Sequence, residues 1–298
     1  KNITLYAVQK KAVQLTFHRC DGSTWQKTTL AKGSSYSLPG VRDAEGYTFM
    51  GWSTKPMQSV SPQYEAEEKI TVNGNVDLYA VVFNRTTETD LTEDQLPQVD
   101  IYKYKQVIFV GDSRTEFMEN VLTGMGESAT KNVKFVCSAG KGLDWFTTTG
   151  WAQLYSIVQH DSNSILSKKT AVIFNFGVND LSKSADYAEY YNWIAPQLKS
   201  KGCELYFMSV NPVNRLMLPN AGRADRSEAA VRSFNQYMKA NLSSAYTYID
   251  MYSYLKSTGY SFASDHYGTG TVDDGLHYTT RTYKRIFAKC MDSLRVPA

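Results

Sequence analysis

A serine, an aspartate and a histidine stand where they could form a nucleophilic catalytic site. Ser113 lies in Gly-Asp-Ser-Arg, after an apolar run and before a segment with helical patterning. Asp274 and His277 lie far downstream in Asp-Asp-Gly-Leu-His. A serine hydroxyl attacks a carbonyl efficiently only when a base takes its proton, and an imidazole oriented by a carboxylate can be that base. The three residues are therefore candidates for covalent catalysis on an acyl group.

Two further positions could supply donors to the oxyanion that such an attack creates. Asn179, in Gly-Val-Asn-Asp, has an amide that can donate, and Gly140, in Cys-Ser-Ala-Gly, would let its backbone approach a substrate closely. The backbone N–H of Ser113 is the third candidate donor. Each motif alone also fits an ordinary turn or a helix N-cap. The prediction therefore depends on the whole set.

His277 is the favoured base among the four histidines of the chain. His18 lies in an N-terminal β-rich segment, and His160 ends a predicted helix. His266 lies in the same late region as His277, but no aspartate stands three residues before it. His266 is therefore the rival base, and the Asp-x-x-His spacing favours His277.

The elements that must position these residues are typical of an α/β fold. Five nearly continuous apolar runs predict strands buried on both faces, and helical segments separate them. We expect a three-layer, doubly wound, five-stranded parallel sheet of flavodoxin-like order 2-1-3-4-5. The predicted strands are 106–111, 132–138, 170–177, 203–210 and 246–250, and the predicted helices are 114–125, 151–160, 187–200, 225–241 and 279–294.

This topology predicts where the candidate residues meet. Ligands of such sheets bind outside the carboxyl ends of the strands, at the point where the strand order reverses. Ser113, Gly140 and Asn179 follow the first, second and third strands, and Asp274 and His277 follow the fifth. All five should converge at one edge of the sheet.

The N-terminal third of the chain differs in pattern. The letters ITLYAV at 3–8 return as VDLYAV at 76–81, which indicates a repeat. Period-two alternation broken by glycine and proline predicts a β-rich module. We predict a tail of a preceding repeat at 1–8, a complete β-rich repeat at 9–84, a polar linker at 85–104 with a short helical turn at 92–96, and the α/β domain at 105–298.

The segment 105–298 resembles the SGNH, or GDSL-type, hydrolases. In that family the serine comes from Gly-Asp-Ser, a glycine from a second block, an asparagine from Gly-x-Asn-Asp, and the other two residues from Asp-x-x-His. Here these match Ser113, Gly140, Asn179, Asp274 and His277. The resemblance implies a Ser-His-Asp esterase with an oxyanion hole formed by Ser113, Gly140 and Asn179.

Two departures from the family pattern are visible. Arg114 replaces the usual leucine, which we expect to change local packing rather than chemistry. The second block reads Cys-Ser-Ala-Gly at Gly140, not the commoner Asn-x-Gly-x-Ser-Gly. The first block also lacks the second glycine of Gly-x-Ser-x-Gly, which argues against an α/β-hydrolase nucleophile elbow.

The β-rich unit resembles the internalin-B-type repeat of bacterial surface proteins, through GYTFMGWST at 46–54 and the later LYAV. This resemblance implies a secreted or surface-attached parent chain. Because Lys1 begins inside a structural element, we expect the chain to be a trimmed fragment of a longer one. The repeat could then contact the cell wall or another surface protein.

Composition excludes several other functions. The net charge is +3 without a Lys/Arg block, so no nucleic-acid surface is indicated, and no apolar run is long enough to span a membrane. Metal or nucleotide motifs are missing from the sequence, and the proposed chemistry needs no cofactor. The four cysteines are widely spaced and fit free thiols or several disulfide pairings.

The expected function is an extracellular serine esterase that hydrolyses O-acyl esters, with O-acetyl esters of carbohydrate, acylated polysaccharide or peptidoglycan as favoured substrates. Lipid esters and thioesters fit the same five residues. The aromatic residues Trp145, Phe146 and Tyr278 lie near the predicted site and could stack on sugars, although such rings more often pack in a core. The alternative is a non-catalytic cell-surface module for carbohydrate binding or adhesion. The presence of every catalytic residue type favours the enzyme.

Overall fold

The structure is a computed structural model that describes residues 10–100, 103–161, 169–267 and 270–294, with only the backbone described at 160–161, 265–267 and 270–272. The predicted tail of a preceding repeat, residues 1–8, lies outside the described residues.

The N-terminal module is built from six strands. Four of them form one sheet of order β2-β1-β6-β4, and β3 pairs with β5 in a small second sheet. Alternate residues of β1 point to one face, where Leu15 and Phe17 pack around the buried Trp52. The strands are β1 Ala12–His18, β2 Thr24–Ala31, β3 Ser34–Ser37, β4 Tyr47–Ser53, β5 Lys69–Val72 and β6 Val76–Asn84.

The second half of the chain contains a five-stranded parallel sheet of order β8-β7-β9-β10-β11. Its strands are β7 Tyr104–Gly111, β8 Val133–Cys137, β9 Lys169–Asn175, β10 Cys203–Met208 and β11 Tyr246–Ile249. Each begins and ends within a few residues of the run that predicted it. Continuous apolar runs were a reliable signal because both faces of these strands are buried.

Helices cover the two faces of this sheet. Ile108 and Phe174 pack with side chains of α3, α4 and α5, whereas their neighbours Val107 and Ile173 pack with α1, α6 and α7. The helices are α1 Ser113–Met125, α2 Leu143–Trp145, α3 Trp151–Asp161, α4 Ser184–Ser200, α5 Glu228–Asn241, α6 Met251–Thr258 and α7 Thr280–Ser293, with a π-helical turn at Phe146–Gly150.

The region after β11 is more elaborate than predicted. It contains α6 and then an antiparallel pair, β12 (Phe262–Tyr267) and β13 (Gly270–Tyr278). Asp274 and His277 therefore lie within β13, not in a simple loop that follows the fifth strand. The pair was missed because its polar and glycine-rich sequence carries little hydrophobic pattern.

The linker and the β-rich module pack tightly on the α/β half. Leu96 and Val99 of the linker are buried in the same cluster as Phe287, and so are Met50 and Phe83 of the module. The ring of Phe83 lies 2.2 Å from where a Cβ on Gly259 would be, so only glycine fits at that contact. The two parts of the chain thus share a hydrophobic core. The linker also contains a 3₁₀ turn at Glu93–Gln95, inside the predicted helical turn.

Candidate active site

The carboxyl ends of three neighbouring strands are level with one another. Gly111, the last residue of β7, pairs with Cys137 of β8 on one side and with Asn175 of β9 on the other. A Cβ on Gly111 would lie 2.0 Å from Oγ1 of Thr115 and 2.8 Å from the carbonyl oxygen of Asn175. Glycine is therefore required here, and the segments after the three strands begin at the same edge.

Ser113 is the first residue of α1, and Asp112 caps that helix. The Asp112 carboxylate accepts a hydrogen bond from the Arg114 N–H at 3.0 Å. Burial raises the pKa of Asp112 to about 6, against the opposing effects of this hydrogen bond and the Arg114 charge. The serine thus lies at the positive end of a helix, where negative charge is stabilised.

Ser113, His277 and Asp274 form a continuous hydrogen-bonded chain. His277 Nε2 lies 2.9 Å from Ser113 Oγ, and His277 Nδ1 lies 2.5 Å from Asp274 Oδ2. The three residues are 6%, 3% and 1% exposed, so bulk water is largely excluded from the chain. The geometry is that of a nucleophile, a base and a residue that orients the base.

The protonation state follows from the environment of Asp274. Burial would raise its pKa, but hydrogen bonds from the His277 ring and from the Leu276 and His277 backbone, together with the proximity of that ring, hold it below its ordinary value of 3.8. An ionised carboxylate can only accept hydrogen bonds. Nδ1 of His277 must then carry a proton, which leaves Nε2 free to accept the proton of Ser113.

A glycine allows the chain to turn between the two acid–base residues. Gly275 has φ +68°, and a Cβ there would lie 2.5 Å from the carbonyl oxygen of Asn214. The left-handed conformation and the close contact both exclude larger residues. This turn lets the Asp274 carboxylate reach both the backbone and the ring of His277.

Arg114 makes contacts near the candidate site that the sequence did not predict. Its buried guanidinium donates to three carbonyl oxygens: Leu276 at 3.0 Å, Asn211 at 2.9 Å and Pro212 at 3.0 Å. Leu276 directly precedes His277, and Arg114 directly follows Ser113. The arginine therefore joins the helix that begins with Ser113 to the strand that contains His277. The departure from leucine thus adds hydrogen bonds between distant segments, in addition to its effect on local packing.

Phe117 was also missed. Its ring stacks on the His277 imidazole, with 4.5 Å between the ring centroids. Phe117 lies one helical turn after Ser113, so its side chain shares a face of α1 with the serine. The four-residue spacing between Ser113 and Phe117 was the sequence signal that could have identified Phe117. The ring covers one face of the imidazole and limits its rotation.

Asn179 connects the segments after the second and third strands. Its side-chain Nδ2 donates to the carbonyl oxygen of Lys141 at 2.8 Å, and its Oδ1 accepts from Arg226 Nη2 at 2.8 Å. The amide orientation is therefore fixed, with its NH₂ directed towards the segment that contains Gly140. The second proton of this NH₂ group is the one suited to an oxyanion.

Arg226 and Asp180 support this side of the site, and neither was predicted. Arg226 Nε donates to the carbonyl oxygen of Val178 at 2.7 Å, so its guanidinium holds two consecutive residues. Asp180 accepts from the Leu143 N–H at 2.9 Å and from the Tyr187 hydroxyl at 2.8 Å. An aspartate after the asparagine thus anchors the start of α2.

Gly140 occupies a tight turn in which the Lys141 N–H donates to the Ser138 carbonyl oxygen. Its φ of +70° is the conformation that the third position of a type II turn requires. Gly140 is exposed, and nothing lies within 4 Å of where its Cβ would be. Among the described hydrogen bonds, none uses the N–H of Gly140 or of Ser113. Both groups are thus candidates to donate to a ligand.

The prediction of three aromatic substrate contacts needs correction. Phe146 is 0% exposed and packs among Phe174, Phe176 and Tyr191 in the core. Tyr278 is 2% exposed and its hydroxyl donates to Pro212. Neither ring offers a face to a substrate, so the prediction is wrong for both. Trp145 is partly buried, and its contact with substrate stays a prediction.

Other candidate groups lie elsewhere. His18 is in the β-rich module, 2.9 Å from Asp77, and the side chains of His160 and His266 fall outside the described residues. All four cysteines are free thiols. Within the described ranges there is no cluster of three metal-ligating side chains, and no helix there combines the length and apolar character needed to cross a bilayer.

Comparison with known proteins assigns both parts of the chain. The profile of the family described as GDSL-like Lipase/Acylhydrolase matches residues 107–290, and the Listeria-Bacteroides repeat domain matches residues 14–81. The chain belongs to the GDSL-like lipase/acylhydrolase family and is an ester-hydrolysing serine hydrolase that carries a bacterial repeat. That repeat type is typical of bacterial surface proteins. No curated protein matches the chain.

Several solved structures are similar to this chain at low sequence identity. A protein from Slackia heliotrinireducens that carries the description SGNH hydrolase is 13% identical, with 65% of this chain and 100% of that chain covered and a TM-score of 0.44. The acetyl xylan esterase AlAXEase is 11% identical, with coverage of 64% and 100% and a TM-score of 0.42. A catalytic mutant of the acetylxylan esterase Axe2 from Geobacillus stearothermophilus is 11% identical, with coverage of 65% and 96% and a TM-score of 0.38.

Proposed function

We propose that this protein is an extracellular serine esterase that removes O-acyl groups, with O-acetyl groups on carbohydrate as the favoured substrate. The observation that carries the catalytic part is the buried hydrogen-bonded chain from Ser113 through His277 to Asp274. Membership of the GDSL-like family supports the same reaction class.

The mechanism follows from the geometry. Ser113 Oγ attacks the ester carbonyl carbon while its proton moves to His277 Nε2, and Asp274 stabilises the resulting imidazolium. The N–H groups of Ser113 and Gly140 and the Asn179 amide hold the oxyanion. Collapse of the tetrahedral intermediate breaks the carbon–oxygen bond, and the imidazolium protonates the departing alkoxide. Water then attacks the acyl-enzyme with the same base, which releases the acid and restores Ser113.

A polar groove next to Asn179 supports a polar alcohol as the leaving group. The groove has a volume of about 390 Å³. Hydroxyl, carboxylate and guanidinium groups line it beside apolar side chains such as Leu181, and the polar groups suit a sugar better than a long acyl or lipid chain. The polar side chains concerned are Asn179, Asp180, Ser182, Arg215, Asp225, Arg226 and Ser227.

The first experiment tests the nucleophile. Ser113→Ala should abolish hydrolysis of nitrophenyl acetate and labelling by a fluorophosphonate probe, because no other group occupies the end of the hydrogen-bonded chain. Ser200→Ala, at the exposed end of α4, serves as the matched control and should keep both activities. Activity that survives in Ser113→Ala with unchanged kcat would remove this serine from the mechanism.

The second experiment tests the substrate class. A panel of esters that varies acyl length and alcohol should give the highest kcat/KM for acetylated xylan or acetylated sugars and a steep decline beyond short acyl chains. Equal or better turnover of long-chain lipid esters would contradict the carbohydrate assignment, although the esterase mechanism would survive.

The remaining proposals concern location and architecture. We propose that the protein acts outside the cell or on its surface, where the repeat contacts cell wall or another surface protein; the repeat family supports this.

We also infer that residues 105–298 form one doubly wound domain, 9–84 the repeat module and 85–104 the linker. Packing of helices against both sheet faces supports the layering.

A further inference from the structure

A buried aspartate of the β-rich module points towards the active site. Asp43 lies between β3 and β4, and its side chain is 0% exposed. Its carboxylate accepts hydrogen bonds from Phe49 N–H at 3.0 Å, from Arg85 Nη2 at 2.7 Å and from Asn214 Nδ2 at 2.8 Å. A buried carboxylate with donors on both oxygens has one well-defined position.

One connection runs from Asp43 through Arg85. The second terminal nitrogen of this guanidinium, Nη1, lies 2.6 Å from Asp273 Oδ2. A guanidinium can hold two carboxylates at once because its donors form a rigid planar fork. Asp273 directly precedes Asp274, so this connection ends one residue before the orienting carboxylate.

The other connection runs through Asn214. The Asn214 side chain donates to Asp43 and also to the Val41 carbonyl oxygen at 3.1 Å, while its backbone N–H donates to the Gly275 carbonyl oxygen at 2.9 Å. Gly275 directly follows Asp274. The two connections therefore hold the residues on either side of the one that orients His277.

Among the described contacts, two ion pairs between the N-terminal part of the chain and the α/β half do not involve residues 273–277. The Lys256 ammonium lies 2.7 Å from Glu65 of the module, and the Arg285 guanidinium lies 2.8 Å from Glu88 of the linker. Among the described contacts of Glu65, none involves residues 273–277. These ion pairs can hold the two parts together without setting the position of Asp274, so they provide an internal control.

We propose that Asp43 is a positioning residue for the Asp274–His277 pair, and that the repeat module is consequently part of the active-site scaffold. The inference rests on the proposed function in one respect, because it is the proposed function that gives the Asp274–His277 pair a catalytic role. It assigns the repeat a task inside the enzyme, in addition to any contact with the cell surface.

The test compares Asp43→Asn with Glu65→Gln in the full chain. Asp43→Asn should lower kcat about 10- to 100-fold, the cost of a small misplacement of a catalytic group. KM should change less than about twofold, because Asp43 touches no part of the substrate groove. Glu65→Gln should lower the melting temperature and leave kcat unchanged below it. Equal kcat for Asp43→Asn and the parent protein would overturn the proposal.

A spectroscopic measurement makes the test independent of turnover. The proton between His277 Nδ1 and Asp274 should give a low-field ¹H resonance in the parent protein, one that is lost in Asp274→Asn. We expect Asp43→Asn to shift or broaden it and Glu65→Gln to leave it unchanged. A parent protein without esterase activity would refute the proposed function, whereas an unperturbed resonance in Asp43→Asn would refute the positioning role.

If Asp43→Asn does not fold, Asp273→Asn breaks the same connection at its other end, where the Asp273 side chain is 17% exposed. The same loss of kcat and the same change in the resonance are expected. When both variants fold, their effects on kcat should be less than additive, because each interrupts the same Arg85 bridge. Full additivity, or unchanged kcat and resonance in Asp273→Asn, would contradict the proposal.

Discussion

The two halves of the active site are built differently. The side with Ser113, His277 and Asp274 is almost completely buried, and Arg114 and Asn214 connect it to distant segments. The side with Gly140 and Asn179 is more open and adjoins the polar groove. The difference agrees with the roles proposed for the two sides. Proton transfer needs fixed groups in a water-poor environment, whereas the proposed oxyanion donors must admit a substrate.

The largest effect should come from the buried half. Asp274→Asn should lower kcat by about 10⁴-fold, because a neutral amide no longer selects the imidazole tautomer that can accept the serine proton. Steady-state kinetics with nitrophenyl acetate as the substrate measures the change in kcat. Asp250→Asn, at the N-cap of α6, is the control for loss of a helix-associated aspartate and should keep its kcat. A loss below about tenfold in Asp274→Asn would argue against a triad.

The open half should contribute less. Asn179→Ala should lower kcat by about 10²- to 10³-fold, the usual result of removing one oxyanion donor. KM should stay nearly constant because the donor acts mainly on the transition state. A rise in KM with unchanged kcat would instead identify Asn179 as a ground-state binding group.

A smaller effect is expected from the support of the open half. Arg226→Lys keeps the charge but cannot hold the Val178 carbonyl oxygen and the Asn179 amide with one planar group. We expect kcat to fall about tenfold through misplacement of the Asn179 amide. In the Asn179→Ala background the same change should have little further effect, since its target is gone. Independent effects would show that Arg226 acts by another route.

The smallest effect concerns stability at acid pH. Because the folded-state pKa of Asp274 is lowered, its ionised form adds stability that is present above the ordinary value of 3.8 and disappears as the pH falls through the lowered pKa. The urea midpoints of the parent protein and of Asp274→Asn should therefore converge as the pH is lowered below the ordinary pKa of 3.8. A difference in midpoints that stays constant with pH would show that Asp274 adds no such linkage.

Sequence reasoning was most successful where one residue type has one chemical role. Ser113, Asn179, Asp274 and His277 stand out because few side chains can attack, donate or accept in these ways, and the structure brings them to one edge of the sheet. Their catalytic roles stay predictions until the variants are assayed. Buried parallel strands such as β7 and β9 were equally readable, because a strand covered on both faces must be apolar throughout.

Sequence reasoning failed where a side chain bonds to a backbone group, and where burial decides whether a side chain can contact a substrate. Arg114, Arg226 and Asn214 donate to backbone carbonyl oxygens, which every residue possesses, so no motif reveals the pairing. Phe146 and Tyr278 were misassigned because an aromatic ring near a motif in the chain can point into the core as readily as towards solvent.

The amino-acid sequence by itself determined the reactive groups, the order of the strands along the chain and the boundary between the β-rich repeat and the α/β half. Local pattern carries that information, since hydrophobic periodicity and residue type are properties of short segments. Only the tertiary structure decided that Arg114 joins the helix of Ser113 to the strand of His277, and that Asp43 of the repeat is connected to the residues flanking Asp274. Such contacts join residues far apart in the chain, and they exist only after both parts have packed on a common core.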